Sequence, residues 1–227
     1  MKILAIDTSG KAMGIAIADE NGIIIEHNDT SGAKHSAALA STIKNILDKA
    51  GLGFNDIDGF SVSIGPGSFT GLRIGVTMVK GFAFATKKPV TAVPTLDTIA
   101  YNCIASPHLI CTIVDASRNL VYACLYESRG QILERKSDYL LINISELLKR
   151  LKSPVLFLGD GLSIYREHII KYFEKPLGEI RNGIEFAPEP MWYPRASTVA
   201  IMGLERFKDG KFEDPDKLVP FYIYPTI

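Results

Sequence analysis

The stretch Ser63-Ile64-Gly65-Pro66-Gly67-Ser68-Phe69-Thr70-Gly71-Leu72-Arg73-Ile74-Gly75-Val76 decides how the chain is read. Residues 60–64 are short and apolar, as a buried strand is. Gly65-Pro66-Gly67 can continue neither a strand nor a helix. Ser68 or Thr70 can cap a following helix, and the amides of a helix start can receive an anion. The Lys-Ser/Thr ending of a P-loop is absent. The spacing predicts a helix over 70–86 with two apolar stripes. Leu72, Val76, Val79 and Ala83 form one, and Ile74, Met78, Phe82 and Ala85 the other. A surface helix shows one apolar face. A helix with two is either held between internal layers or shared with a second subunit, and composition alone does not choose. Gly75 and Gly81 each cost about 1 kcal/mol relative to alanine inside a helix, which makes sense where another backbone comes close.

Upstream, residues 2–6 read as a buried strand that ends in the polar turn Asp7-Thr8-Ser9-Gly10. Residues 13–18 and 23–28 are two further strands, joined through Asn21-Gly22, a hairpin signal. Residues 35–50 form an amphipathic helix, with Ser31 or Lys34 before it and Gly51 as its stop. Downstream, 89–93 is a strand and 95–105 a helix. The second half replays this order, with strands at 109–115, 121–127 and 131–136, a helix at 144–151, a strand at 155–158 and a helix at 163–173. Residues 178–193 read as loop plus an edge strand, 197–207 as a last helix, and 220–227 as an extended aromatic tail. The fold class is α/β, with two ribonuclease-H-like lobes. The expected division is 1–105 as the N-terminal lobe, joined by a helix over 195–208, then 106–194 as the C-terminal lobe and 209–227 as the tail.

The chain has 227 residues, 47% of them apolar, and Lys+Arg equals Asp+Glu at 25 each. A neutral balance argues against a protein whose main task is gripping nucleic acid. Lys44, Lys49, Arg73, Lys80, Lys87, Lys88 and Arg118 remain as candidates for local nucleic-acid contact, though each reads first as a solvated charge. Three cysteines without a CxxC pair fit free thiols in a reducing compartment. The apolar start is too short for a signal peptide or a membrane span, so the expectation is a soluble, cytoplasmic protein with no membrane partner.

Asp7, Thr8 and Ser9 at the end of a first strand are an arrangement that can hold a hydrated magnesium ion and phosphate oxygens. Asp115-Ala116-Ser117-Arg118 stands at the equivalent place in the second half. With Gly65 and Gly67, these residues outline either a vestigial phosphate cleft with no catalytic group of its own or, for Asp7, Thr8 and Ser9, a turn whose acid and hydroxyls satisfy local backbone groups. A peptidase reading lacks an identifiable base for Ser36, Ser68 or Cys111.

Residues 3–9, His35-Ser36, the 63–76 stretch with Lys80-Gly81, Val93-Pro94-Thr95-Leu96-Asp97, and Asp115-Ala116-Ser117-Arg118 with Val121-Tyr122 together resemble the bacterial TsaB family, YeaZ-type members of the glycoprotease-like superfamily. The likeness is strong over 1–127 and holds only in outline beyond. It implies a two-lobed fold of the actin, Hsp70 and sugar-kinase type. It implies a non-catalytic dimerisation subunit of the complex that transfers threonylcarbamoyl to N6 of adenosine 37 in tRNAs reading codons that begin with A. The partners implied are a TsaD-type catalytic subunit, a TsaE-type ATPase and, through the complex, tRNA, with a homodimer when the chain is alone. The catalytic relative carries a His-x-x-x-His metal pair where this sequence has Thr95 and Ile99, and isoleucine offers no ligand atom. No metal and no tightly bound cofactor are therefore expected, with ATP or ADP left open at the complex interface. The partner surface is expected on two helices, at His35, Leu39, Ile43, Leu72, Gly75, Val76, Met78, Val79 and Phe82. The alternative is a stand-alone ATP- or metal-dependent transferase of the same fold.

Overall fold

A computed structural model describes residues 1–29, 35–151, 154–174 and 183–223, with side chains of 35–38 left undescribed. The cap candidates Ser31 and Lys34, and the ends of the two tail segments, lie outside the described residues.

The chain divides into two compact units, Met1–Thr98 with Pro194–Phe221, and Ile99–Tyr193 with Tyr222–Ile227. The first boundary thus falls after Thr98 rather than after residue 105, and most of the segment after the last helix belongs to the first unit rather than forming a separate tail.

The first unit is built on a mixed sheet. Strands β1 (Lys2–Asp7), β2 (Met13–Asp19) and β3 (Gly22–Asp29) run as an antiparallel meander, and β4 (Gly59–Gly65) and β5 (Val90–Pro94) lie parallel to β1. The order is β3-β2-β1-β4-β5, the ribonuclease-H-type arrangement expected. β1 and β4 are central and covered on both faces, which explains their nearly unbroken apolar runs. Alternation along β1 sends Leu4 and Ile6 to one face and Ile3 and Ala5 to the other. Helices α1 (His35–Ala50) and α2 (Phe69–Thr86) pack on the Leu4 face. Helix α6 (Ala196–Lys208) packs on the Ile3 face over the small residues Ala5, Ala16 and Ala18. The approach is close enough that a Cβ on Gly203 would sit 2.7 Å from the Cβ of Ser61, whose hydroxyl donates to Val199 O at 3.1 Å.

The second unit repeats the plan with one addition. Strands β6 (Leu109–Asp115) and β7 (Leu120–Arg129) are antiparallel, β8 (Ile132–Arg135) continues the meander, and β10 (Val155–Leu158) and β11 (Ile184–Phe186) lie parallel to β6. Helices α4 (Ile144–Arg150) and α5 (Leu162–Phe173) cover a core that includes Ile113, Val121, Leu147, Phe157 and Ile169. The addition is β9 (Leu140–Asn143), which pairs with the first half of β7. Four residues with no alternation gave no strand signal, and only the length of β7 leaves room for two partners. The helix expected over 95–105 is shorter, α3 (Thr95–Tyr101), and the following residues form turns.

Thr91, on β5, is fully buried and its hydroxyl has no hydrogen-bond partner among the described residues. An unmade buried hydrogen bond costs roughly 1–3 kcal/mol, and valine has nearly the same shape. Thr91→Val is expected to raise the unfolding free energy by about 1 kcal/mol, read as a shift in the urea midpoint at unchanged slope. A lower midpoint would show that the hydroxyl is satisfied.

Candidate functional site

The parallel strands β1, β4 and β5 end side by side. That edge collects Asp7, Ser63 and Thr95, the last being the first residue of α3. All three are at most 2% exposed. The Asp7 carboxylate accepts from the Ser9 amide at 3.1 Å and from the Ser9 hydroxyl at 3.1 and 3.2 Å. It also accepts from the Ser63 hydroxyl, which shares a 2.9 Å bond with the Thr95 hydroxyl. Burial pushes the Asp7 carboxyl above its ordinary range, and the bonds from Ser63 and Ser9 offset only part of that.

The turn after β1 is joined to the start of α2. Thr8 Oγ1 donates to Gly71 O at 2.7 Å, and the Ser68 amide donates to Ser9 O at 2.7 Å. Ser68 is the N-cap, its hydroxyl accepting from the Gly71 amide at 3.2 Å. Three glycines permit this closeness. A Cβ on Gly67 would overlap the Ser9 carbonyl, one on Gly71 the Thr8 carbonyl, and one on Gly75 the Thr8 hydroxyl. Gly67 also has φ 159° and Gly65 has φ 111°, the latter in the region that favours glycine. Gly65 faces Leu72 and the Phe221 carbonyl, and the Phe221 amide donates to Ile64 O at 2.8 Å.

Asp7, Thr8, Ser9 and Gly67 therefore do converge, but on protein atoms. Both hydroxyls are committed within the unit, that of Thr8 to Gly71 O and that of Ser9 to Asp7. Asp115 belongs to the second unit. There it accepts from the Ser117 amide at 3.1 Å and from the Tyr165 hydroxyl at 3.4 Å. Thr95 is spent on Ser63, and Ile99 is 1% exposed. No group of three or more His, Cys, Asp or Glu side chains able to hold a metal ion occurs among the described residues.

The expected partner surface needs correction. Leu39, Ile43, Leu72, Val76 and Val79 are at most 3% exposed, and Gly75 is buried against Thr8. These residues face the sheet, so they belong to the unit's own core. Each such aliphatic contributes roughly 1.5–3 kcal/mol by burial. A charge at Val79 would unfold the unit rather than test a surface. Met78 and Phe82 are half-buried and reach the outer side. The side chain of His35 is outside the described residues. What α2 presents to solvent is a shallow groove lined by Phe69, Thr70, Arg73, Ile74, Thr77, Met78, Gly81 and Phe82. The two stripes were correctly separated in the sequence. The two stripes differ in depth rather than in allegiance: the Leu72 stripe is fully buried against the sheet, while Ile74, Met78 and Phe82 pack on the edge of the same core, Phe82 with its ring 5.4 Å from that of Phe60 on β4, and stay partly exposed. Thr77 and Gly81 extend the Ile74 stripe at helical spacing, three and seven residues on, and line the same groove.

The basic residues are largely engaged locally. Lys80 Nζ donates to Asp216 O at 3.2 Å and Leu218 O at 3.1 Å, and Lys88 Nζ to Phe54 O at 2.9 Å and Asn55 O at 3.1 Å. Arg73 lies over the Phe69 ring and Lys87 over the Phe84 ring.

The unfolded chain releases the Asp7 proton near the ordinary carboxylate value of 3.8, whereas the folded chain holds it to higher pH. Folding stability from this group is thus present at low pH and lost as pH rises through the folded value. Relative to Asp7→Asn, the wild-type protein is expected to lose stability in urea melts as pH rises above the ordinary carboxylate value of 3.8, until the folded carboxyl is itself ionised. Parallel pH profiles of the two proteins would show that the carboxyl is not penalised by burial.

Residues 24–223 match the profile of the family described as TsaD: tRNA N6-adenosine threonylcarbamoyltransferase. The chain is 35% identical to the tRNA threonylcarbamoyladenosine biosynthesis protein TsaB of Bacillus subtilis, over 98% of this chain and 94% of that protein. It is likewise 35% identical to the protein of the same name from Escherichia coli, again over 98% and 94%. Among solved structures, YeaZ from Pseudomonas aeruginosa superposes with a TM-score of 0.79 at 22% identity, covering 98% of this chain and 99% of that one, which supports the fold. The two full-length likenesses above 30%, joined to the family profile across most of the chain, place this protein in the TsaB family.

Proposed function

We propose that this chain is the non-catalytic dimerisation subunit of the assembly that transfers threonylcarbamoyl to N6 of adenosine 37 in tRNAs reading codons that begin with A. In this reading it binds and activates a TsaD-type catalytic subunit, works alongside a TsaE-type ATPase, and meets tRNA through the complex. Alone, it pairs with a second copy through the same face. The cytoplasm is the compartment where such an assembly would act, and no described helix is long and apolar enough to cross a membrane. ATP or ADP, where it takes part, binds at the complex interface. The stand-alone transferase is not favoured, because the Thr8 hydroxyl is committed to Gly71 O, the Ser9 hydroxyl to Asp7, and Gly67 lies against the Ser9 carbonyl.

The observation that carries the reading is the outer side of α2. Ile74, Met78 and Phe82 reach the surface there, Phe69 is 55% exposed, and no acid lines the groove. Gly81 sharpens it. Gly71 and Gly75 are demanded by Thr8, but a Cβ on Gly81 would meet nothing within 4 Å. The unit therefore has no internal use for glycine at an exposed position where alanine would gain about 1 kcal/mol. A partner helix crossing close to this point gives it a use.

Gly81→Ala is expected to stabilise the isolated protein by up to about 1 kcal/mol while weakening its complex with the catalytic subunit. Thr77 is exposed, so Thr77→Glu is expected to fold normally and to abolish the complex. Light scattering on the size-exclusion peak of the mixed subunits reads both. A folded Thr77→Glu variant that assembles with unchanged affinity removes this face from the interface.

A further inference from the structure

We infer that Thr8 is a positioning residue for the partner face: the β1 turn, instead of holding a phosphate, brackets the first turn of α2 and so sets how the outer side of that helix is presented. This rests on the assignment of the α2 face to the catalytic subunit.

The geometry has three parts. Thr8 Oγ1 holds Gly71 O at 2.7 Å, and the Ser68 N-cap amide is held by Ser9 O at 2.7 Å. Two successive residues of one turn therefore grip the N-cap and the third residue of the helix. Ser9 is itself braced by Asp7 through its amide and its hydroxyl, each at 3.1 Å to Oδ1. Gly67, Gly71 and Gly75 let the turn sit where a Cβ would collide, so the contact admits little play. None of Asp7, Thr8 or Ser9 is more than 3% exposed, and none can touch a partner directly. Thr70, Arg73, Ile74 and Thr77, which line the groove, lie within two turns of the bracket. A small tilt of the helix start moves all of them against a rigid partner, and misplacements of about 1 Å are costly where complementarity is tight.

Thr8→Ala deletes the hydroxyl without crowding the Gly71 carbonyl; Thr8→Ser keeps it. Ser61→Ala is the control. It also removes one buried hydroxyl bonded to a helix carbonyl, but on the α6 face. Kd for the catalytic subunit is measured beside the thermal midpoint and hydrogen exchange of the Leu72 amide, which bonds Ser68 O at 2.9 Å. The expected result is a Kd raised at least about tenfold by Thr8→Ala, equivalent to about 1.4 kcal/mol. Faster Leu72 exchange should accompany it, with near-wild-type affinity for Thr8→Ser and for Ser61→Ala. Should Thr8→Ala fail to fold, Thr8→Val keeps the volume and is held to the same outcome. A folded hydroxyl-free variant with affinity within about twofold of wild type overturns the inference, as does an equal loss in Ser61→Ala. Thr77→Glu separates the two levels. If it abolishes binding while Thr8→Ala does not, only the bracket falls. If neither matters, the face assignment falls with it.

Discussion

The close approach of the β1 turn to the first turn of α2 is the constraint on which the first unit depends. Gly67, Gly71 and Gly75 give up side chains so that Thr8 and Ser9 can reach the helix backbone. Glycine at 71 and 75 weakens a helix in isolation. Here that weakness is offset by a 2.7 Å hydrogen bond in a dry site and by the burial of Leu72, Val76 and Val79 against the sheet. The order of events along the chain follows. β1 must be followed by a residue pair that can donate and accept at the helix start, β4 must turn sharply at Gly65, and the inner side of the first turns of α2 must carry glycine at 71 and 75. The 63–76 stretch is dense in glycine because it satisfies these conditions together.

The same contact decides what the strand-end hydroxyls can do. Ligands of open α/β sheets gather beyond the carboxyl ends of the parallel strands, and Asp7, Ser63 and Thr95 stand at that edge. Yet the side-chain oxygens of all three are bound to other parts of the unit, so here they join its elements. Asp7 bears a cost there, its carboxyl pushed above its ordinary range by burial. A fold that supports many functions keeps its frame while its sites change, and at this edge the frame itself takes up the polar side chains.

Much of the fold was legible in the sequence because its signals are local. The Asn21-Gly22 hairpin, the Gly51 stop and the apolar runs of β1, β4 and β10 each reflect chemistry within a few residues. The polar turn at Asp7 was legible as well, since acids and hydroxyls at a strand end are a pattern. β9 was not, because its pairing with β7 depends on a partner about 20 residues away along the chain and its four residues show no period. The end of α3 at Tyr101 was misjudged for a similar reason, as turns beyond it interrupt an otherwise helical composition.

The site was only partly legible, and α2 shows why. An apolar stripe records that a surface is buried without recording what buries it. Leu72, Val76 and Val79 face β4, while Ile74, Met78 and Phe82 turn toward the groove, and hydrophobicity alone ranks the two sets alike. The glycines separate them. Gly75 lies on the inner side against Thr8, where the fold requires it, and Gly81 lies on the outer side against nothing. An unforced glycine in an exposed helix is a local cost with no local return, and such costs persist at functional positions. On this helix the position the fold does not need is therefore the more informative about function, and it points away from the sheet.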